Sequence, residues 1–260
     1  MLTRFDHAVI AVPDLDAAAA AYRGFGFDVR PGGRHPRCGT ENAIIRFGLT
    51  YLELIAVHDE REALESGESG RVLVEHLRRG GGLAGFVIAG VEISAQGGSL
   101  QKLGLGGELI AMSRARPDGS SFSWRIIAPE GVQWRRPWPF LIEWGTPDAD
   151  RLAHEPAGHH ENGACGIASV TVAVRDLEAA LPVYRQALAL ADAGSLTRPD
   201  LRAYGRRFVI GDTDIQLLAA DGEGALSRQI EACGEGPFEL SLRFHPQVTA
   251  HAQLHPGGTS

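Results

Sequence analysis

Cysteine is scarce: the chain of 260 residues holds three, Cys38, Cys165 and Cys233, far apart and never as CxxC. That excludes a disulfide framework and a cysteine-rich zinc site, and it suits reduced thiols in a cytoplasmic protein. Basic charge is in deficit, with 25 Lys and Arg against 32 Asp and Glu and a net charge of −7. Phosphate backbones need a basic face, so a nucleic-acid partner is not expected. No apolar run is long enough to cross a bilayer, and the chain enters its first strand without an apolar leader, so neither a membrane partner nor secretion is expected. There is no P-loop, no GxSxG and no GxGxxG between a strand and a helix. What is present is 44% apolar and 22% charged, an ordinary globular composition with enough chain for a sizeable core.

The informative stretch is FDHAVIAVPDLDAAAAAY, Phe5–Tyr22. Residues 5–12 alternate between two faces, with His7, Val9 and Ala11 on one and Ala8, Ile10 and Val12 on the other, as a strand does. Pro13 ends it, Asp14 is a good N-cap, Asp16 adds negative charge to the first helical turn, and Gly24 and Gly26 stop the helix. The pattern returns as IASVTVAVRDLEAALPVY, Ile167–Tyr184. Asp14, Leu15, Ala17, Ala18, Tyr22 and Arg23 reappear as Asp176, Leu177, Ala179, Ala180, Tyr184 and Arg185, all offset by 162. Matches without insertion indicate a duplicated unit. The first copy carries His7; the second has Ser169 in its place.

After the first helix, strands are expected at 27–30, 42–47 and 49–57, the last with Tyr51, Glu53, Ile55 and Val57 on one face, so the unit reads βαβββ. A helix is expected over 71–79. A second unit follows, with strands at 83–90, 108–112, 121–127 and 139–144, a Gly-weakened helix over 91–103 and a turn at Pro117-Asp118-Gly119. Residues 147–163, rich in Pro, Gly, His and acids, are expected to be a linker, with His159 and His160 solvated. A third unit has strands at 166–174, 207–211 and 213–219. Its helix over 176–189 is expected to kink at Pro182. A helix at 225–233 and a strand at 237–244, the start of an incomplete fourth unit, precede a tail at 246–260.

A βαβββ unit with His early in its first strand and Glu in its last resembles the vicinal oxygen chelate superfamily, the group of glyoxalase I, extradiol dioxygenases, methylmalonyl-CoA epimerase and the bleomycin- and fosfomycin-resistance proteins. More narrowly, HPRCGTENAIIRFGLTYLELIAV, RPDGSSFSWRI and PFLIEW resemble the bacterial glyoxalase-like domain family over residues 3–146. Residues 165–245 share only the shape of the repeat. The resemblance implies an α+β fold of repeated βαβββ modules forming a cup-shaped mixed sheet. It divides the chain into a two-module domain at 1–146, a linker at 147–163 and an additional module at 164–245, packed on the first two or used in a homodimer. It also implies a divalent metal in the cup, chelated by two neighbouring substrate oxygens and held by residues of each module's first and last strands. By position, His7, Glu53 and Glu143 match those ligands. Gly85, which cannot bind metal, stands at the second module's first-strand place, and the third module offers only Ser169 and Gln216.

The residue chemistry is consistent with this assignment. Imidazole and carboxylate suit a mid-series divalent ion, Zn, Mn, Ni, Co or Fe(II), and a buried carboxylate is costly unless paired or bound to a cation. His35, in a Gly/Pro loop, is the candidate to complete the site or to shuttle a proton. Thr40 and Asn42 would line the same wall, Asn42 able to hydrogen-bond a substrate oxygen. Arg46 suits a carboxylate or a surface ion pair, and Trp124 and Trp144 wall the cup or pack within it. The expected function is metal-dependent lyase or isomerase chemistry on a small oxygenated metabolite, with Glu143 or Glu53 moving the proton. Two rivals stand beside it. A non-catalytic binder, as in antibiotic sequestration, would be favoured by a His7 and Glu53 already engaged in protein hydrogen bonds. An extradiol-type dioxygenase would need His35 within reach of the metal.

Overall fold

The computed structural model describes residues 1–115 and 121–246. The turn expected at Pro117–Gly119 and the tail from residue 247 onward lie outside the described residues. The first module runs β1 (Leu2–Ala11), α1 (Leu15–Gly24), β2 (Arg30–His35), β3 (Thr40–Arg46) and β4 (Tyr51–Val57). Asp14 caps α1 by accepting a hydrogen bond from the Ala17 amide at 2.9 Å, and Asp16 and Arg23 stand at the ends that suit their charges. Two helices follow, α2 (Glu60–Glu65) and α3 (Glu68–Arg78). The second module is β5 (Gly82–Gly90), α4 (Ser94–Lys102), β6 (Leu109–Ala115), β7 (Ser121–Ile127) and β8 (Phe140–Trp144). The stretch read as linker contains a further helix, α5 (Asp148–His154).

The two modules form one cup-shaped mixed sheet in the order β2-β3-β4-β1-β5-β8-β7-β6. Within each module the first strand runs parallel to the last, and the modules join where β1 and β5 pair antiparallel. A second sheet is built from β9 (Ala164–Ala173), β10 (Ala191–Arg198), β11 (Ala203–Ile210), β12 (Thr213–Ala220) and β13 (Gly236–Phe244), with α6 (Leu177–Pro182) after β9 and α7 (Ala225–Cys233) before β13. Its order, β10-β11-β12-β9-β13, repeats that of β2-β3-β4-β1-β5. The helix after β9 does change at Pro182: the α turn passes into a π turn over Val183–Ala187, because proline supplies no amide to the ladder. β10 has no apolar alternation and went unforeseen.

Both sheets share a core. Phe5, Ala8, Leu52, Leu54, Phe86 and Leu141 on the back of the first sheet join Val170, Val172, Tyr184, Phe208, Ile215 and Leu217 of the second unit. Arg135 ties the sheets together, its guanidinium donating to the carbonyls of Leu83, Pro237, Cys233 and Glu235. No helix among the described residues is long and apolar enough to cross a membrane.

The cup face carries a separate core. Leu73 of α3 and Trp134 pack with Val9, Ala11, Ala84, Val87, Phe140 and Ile142. This explains Gly85: a Cβ there would meet the Gln133 carbonyl at 3.1 Å and the Trp134 ring at 3.2 Å. Indole occupies the space a second-module ligand would use. Gly85→His, which would restore that ligand in sequence, is therefore expected to destabilise the fold by about 2 kcal/mol through overpacking. A denaturation midpoint equal to wild type would show that Trp134 does not fill the position.

Candidate functional site

The site begins with an irregularity in β1. Opposite β5, Phe5 faces Ile88 and His7 faces Val87, so Asp6 is the extra residue of a bulge. The slip lets Asp6 side with His7. The Asp6 carboxylate is fully buried and accepts from His7 Nδ1 at 2.8 Å, Trp144 Nε1 at 3.0 Å and an Arg4 Nη2 at 3.1 Å. On its other edge, His7 Nε2 lies 3.4 Å from Glu53 Oε2. The His7 ring stacks on Tyr51, centroids 4.3 Å apart, and meets Phe140 edge-on. Register accounts for these meetings, since β1 pairs with β4 His7 to Tyr51 and Val9 to Glu53.

β3 supplies the next layer. Asn42 Nδ2 donates to Glu53 Oε1 at 2.6 Å and lies 3.2 Å from His35 Nε2. His35 Nδ1 is 2.8 Å from Thr40 Oγ1, and its Nε2 is 3.8 Å from Glu53 Oε1. Glu53 and Asn42 are buried, while the His35 side chain keeps 21% of its surface exposed at the mouth. The structure thus gathers His7, Glu53, Asn42, Thr40 and His35 into one network. Arg46 stands on the same wall with its guanidinium 4.7 Å over the Tyr51 ring and bonded to Glu155 at 2.7 Å. Trp124 lies against Trp144, 5.6 Å between rings, on the far wall.

Glu143 is not in this group. Ile142 and Trp144 point into the cup, so Glu143 between them points to the back of the sheet. There it accepts from the Ile93 amide at 3.2 Å and from Arg125 at 2.5 Å. The assignments of Glu143 as metal ligand and as proton carrier beside His7 are corrected accordingly. In the second sheet Gln216 pairs with Thr171 as Glu53 pairs with Val9, so Ser169 and Gln216 do occupy the positions of His7 and Glu53, with neutral side chains. His160, expected in solvent, is buried and structural: Nδ1 accepts from the Asp28 amide and Nε2 lies 3.0 Å from the Arg46 carbonyl.

Residues that the sequence did not flag complete the site. They are Asp6, hidden by the bulge, and Arg151 and Glu155 from the supposed linker. The Arg151 side chain has no exposed surface, and its guanidinium lies 3.6 Å over the Trp144 ring.

Electrostatics follow from burial and pairing. Burial disfavours a charged His7, but Asp6 and Glu53 outweigh it and raise its pKa. Burial likewise disfavours the Glu53 anion, but the hydrogen bond and charge of His7, with His35 and Asn42, pull its pKa to about 2. For Asp6, burial is overcome by His7, Arg151 and Arg4, and the pKa falls. The two carboxylates on either side of His7 thus favour its protonated form.

A metal held by His7, Glu53 and Glu143 does not fit this arrangement. Glu143 is on the wrong face, Gly85 lies under Trp134, and among the described residues no group of three or more His, Cys, Asp or Glu is disposed to hold an ion. His35 and Glu53 are close enough to share a ligand, but His7 spends both nitrogens on carboxylates.

Fold and site together define a cup-shaped α+β protein with its histidine and carboxylate on the first and last strands of the leading module. The Glyoxalase-like domain family matches residues 5–188, and the chain belongs to that family. A hypothetical protein from Staphylococcus aureus shares the fold at 18% identity and a TM-score of 0.64, over 86% of this chain and 88% of that one. A triple mutant of 4-hydroxymandelate synthase from Streptomyces coelicolor does so at 13% identity and 0.59, over 93% and 71%. A methylmalonyl-CoA epimerase variant from Streptomyces coelicolor, in complex with 2-nitronate-propionyl-CoA, aligns at 21% identity over 56% of this chain and 100% of its own, with a TM-score of 0.41. No curated protein matches the sequence.

The pairing predicts a stability profile. The contribution of the depressed Glu53 is present above its ordinary 4.5 and is lost as pH falls toward about 2. That of the raised His7 is present below its ordinary 6.5 and is lost as pH rises through the raised value. Melting temperature should therefore peak between these ordinary values. Glu53→Gln should flatten the acid limb and His7→Gln the alkaline limb relative to wild type. Variant curves that only run parallel to wild type would refute the pairing.

Proposed function

We propose that the protein is a proton-transferring enzyme of isomerase or lyase type acting on a small oxygenated metabolite bound in the cup. The observation that carries this reading is the row of titratable groups His35, Glu53, His7 and Asp6, spaced 3.8, 3.4 and 2.8 Å and running from the mouth to a fully buried carboxylate. Such a row on a rigid sheet is what general acid–base chemistry needs. His35 is the residue to move the proton, because it alone of the four reaches the opening. A Glu53 with a pKa near 2 is a weak base at neutral pH; its role is to keep His7 charged. His7, engaged on both edges, holds Glu53 and Asp6 in place behind His35. Asn42 orients the substrate oxygen. The three unpaired cysteines suit a reducing, cytoplasmic setting.

One observation favours a second reading, sequestration without chemistry: His7 and Glu53 are already engaged with each other, and Asn42 donates to Glu53. Solvent deuterium exchange separates the two. Small 2-oxo acids and 2-hydroxy ketones that raise the melting temperature are followed by proton NMR in deuterium oxide, without added metal and with Zn, Mn, Ni, Co or Fe(II). Wild type should exchange the proton next to the carbonyl, and His35→Gln should slow exchange by about 100-fold or more while still binding. Ligands that bind wild type yet never exchange, under every metal condition, would leave sequestration as the function.

A further inference from the structure

We propose that Arg151 is the anion-recognition residue of the cup and that the ligand it takes carries a carboxylate. The inference rests on the cup being the ligand site, as above, but not on the proton chemistry assigned to it.

Arg151 is 1% exposed, and its Nε, Nη1 and Nη2 have no hydrogen-bond partner among the described residues. A guanidinium carries five N–H donors, and a buried cation with none of them used is among the costliest arrangements a fold can hold. The two nearest carboxylates do not satisfy it. Asp148 stands 3.6 Å away and Asp6 3.9 Å, both beyond hydrogen-bond reach. Both are also committed elsewhere, Asp148 to Arg4 and Asp6 to His7, Trp144 and Arg4. Trp144 covers one face of the guanidinium at 3.6 Å, which fixes its plane and leaves its edges as the recognising surface. A planar fork of this kind matches a carboxylate with two parallel hydrogen bonds.

The same wall already accepts a carboxylate from within the chain. Arg46, over the Tyr51 ring, is bonded to Glu155, just beyond the end of α5. The neighbourhood also selects among anions. With Asp6, Asp148 and Glu155 close by, an anion that brings one charge on each group, as a carboxylate does, is tolerated better at Arg151 than a phosphate, which gathers up to two charges on one group. A carboxylate on Arg151 sits beside Asp6, and so next to His7, whose Nδ1 that aspartate holds. Entry requires α5 to lift. At its start the pair of Arg4 with Asp148 has a solvent-exposed carboxylate and is weakly held, whereas Arg46 with Glu155 at its other end is largely buried, so the start of the helix is the end that gives way.

The test uses the full chain and three probes: malonate, its uncharged dimethyl ester and inorganic phosphate. Binding is read as a change in tryptophan fluorescence, since Arg151 stacks on Trp144, and as a rise in melting temperature. Wild type should bind malonate, bind phosphate more weakly and ignore the ester. Arg151→Met should weaken malonate binding by about tenfold or more, and Arg151→Lys, which keeps the charge but loses the fork, should fall between. Equal malonate binding by wild type and Arg151→Lys, ester binding as tight as malonate, or no malonate binding by wild type would each overturn the proposal. Should Arg151→Met not fold, the lysine variant and the ester comparison still decide. His35→Gln separates this inference from the catalytic one. Retained malonate binding with lost proton exchange supports both, malonate binding in a protein that never exchanges sinks only the catalysis, and exchange without malonate binding sinks only the assignment of Arg151.

Discussion

The buried carboxylate of Asp6 is the constraint around which the cup is assembled. An ion of that kind, with no contact to water, is stable only when its lone pairs are filled, and removing one partner of such a set typically costs about 3–5 kcal/mol. Here two partners, Arg4 and His7, flank it on β1 and a third, Trp144, comes from the last strand of the second module, with Arg151 of α5 standing beyond them. One carboxylate therefore bonds the ring of His7 and ties the two modules across the cup. The bulge that exposes Asp6 to this face is a backbone feature, so the site depends on the slip between Phe5 and His7 as much as on any side chain.

The three modules divide the work unequally. The first keeps a charged His–Glu pair. The second has given up its ligand position to Trp134 and become a wall of Phe140, Ile142, Trp124 and Trp144. The third carries Ser169 and Gln216 at the matching register and shares a core with the first two. A repeated backbone thus presents one position with titratable side chains and two without. The latter two are explained by what fills or neutralises them rather than by any change in the strand order.

Much of the fold was legible because the sheet alternates and the modules repeat. Period-two patterning sorted His7 and Glu53 each within its own strand; the family resemblance brought them together and marked Gly85 as the gap in the second module. Glu143 failed for a physical reason: Phe140, Leu141 and Ile142 are all buried, so the strand is apolar on both faces and the parity of the next residue cannot be read from it. Asp6 failed because a bulge breaks the very alternation used to exclude it. Arg151 failed because a short helix in a stretch of Pro, Gly and His has no apolar stripe; it is seated by the Trp144 ring, by Asp148 one turn before it and by Asp6, which is distant in sequence. β10 was missed because, as a mostly exposed edge strand, it has no buried side to encode.

These misses share a direction. The residues that sequence patterning found are those whose burial is decided within their own strand. The residues it missed are charged groups whose burial is decided by another module. Desolvation makes such groups expensive singly and tolerable together, so they are selected as a set: Asp6 needs His7 and Arg4, and Glu53 needs His7 and Asn42. In the low dielectric beneath α5 the same mutual dependence couples the ends of the row. Asp6 faces two cations, His7 at 2.8 Å and Arg151 at 3.9 Å, and whatever negative charge satisfies Arg151 leaves Asp6 more fully to His7. Ligand charge and the protonation of His7 are in that way linked through a residue that touches no solvent.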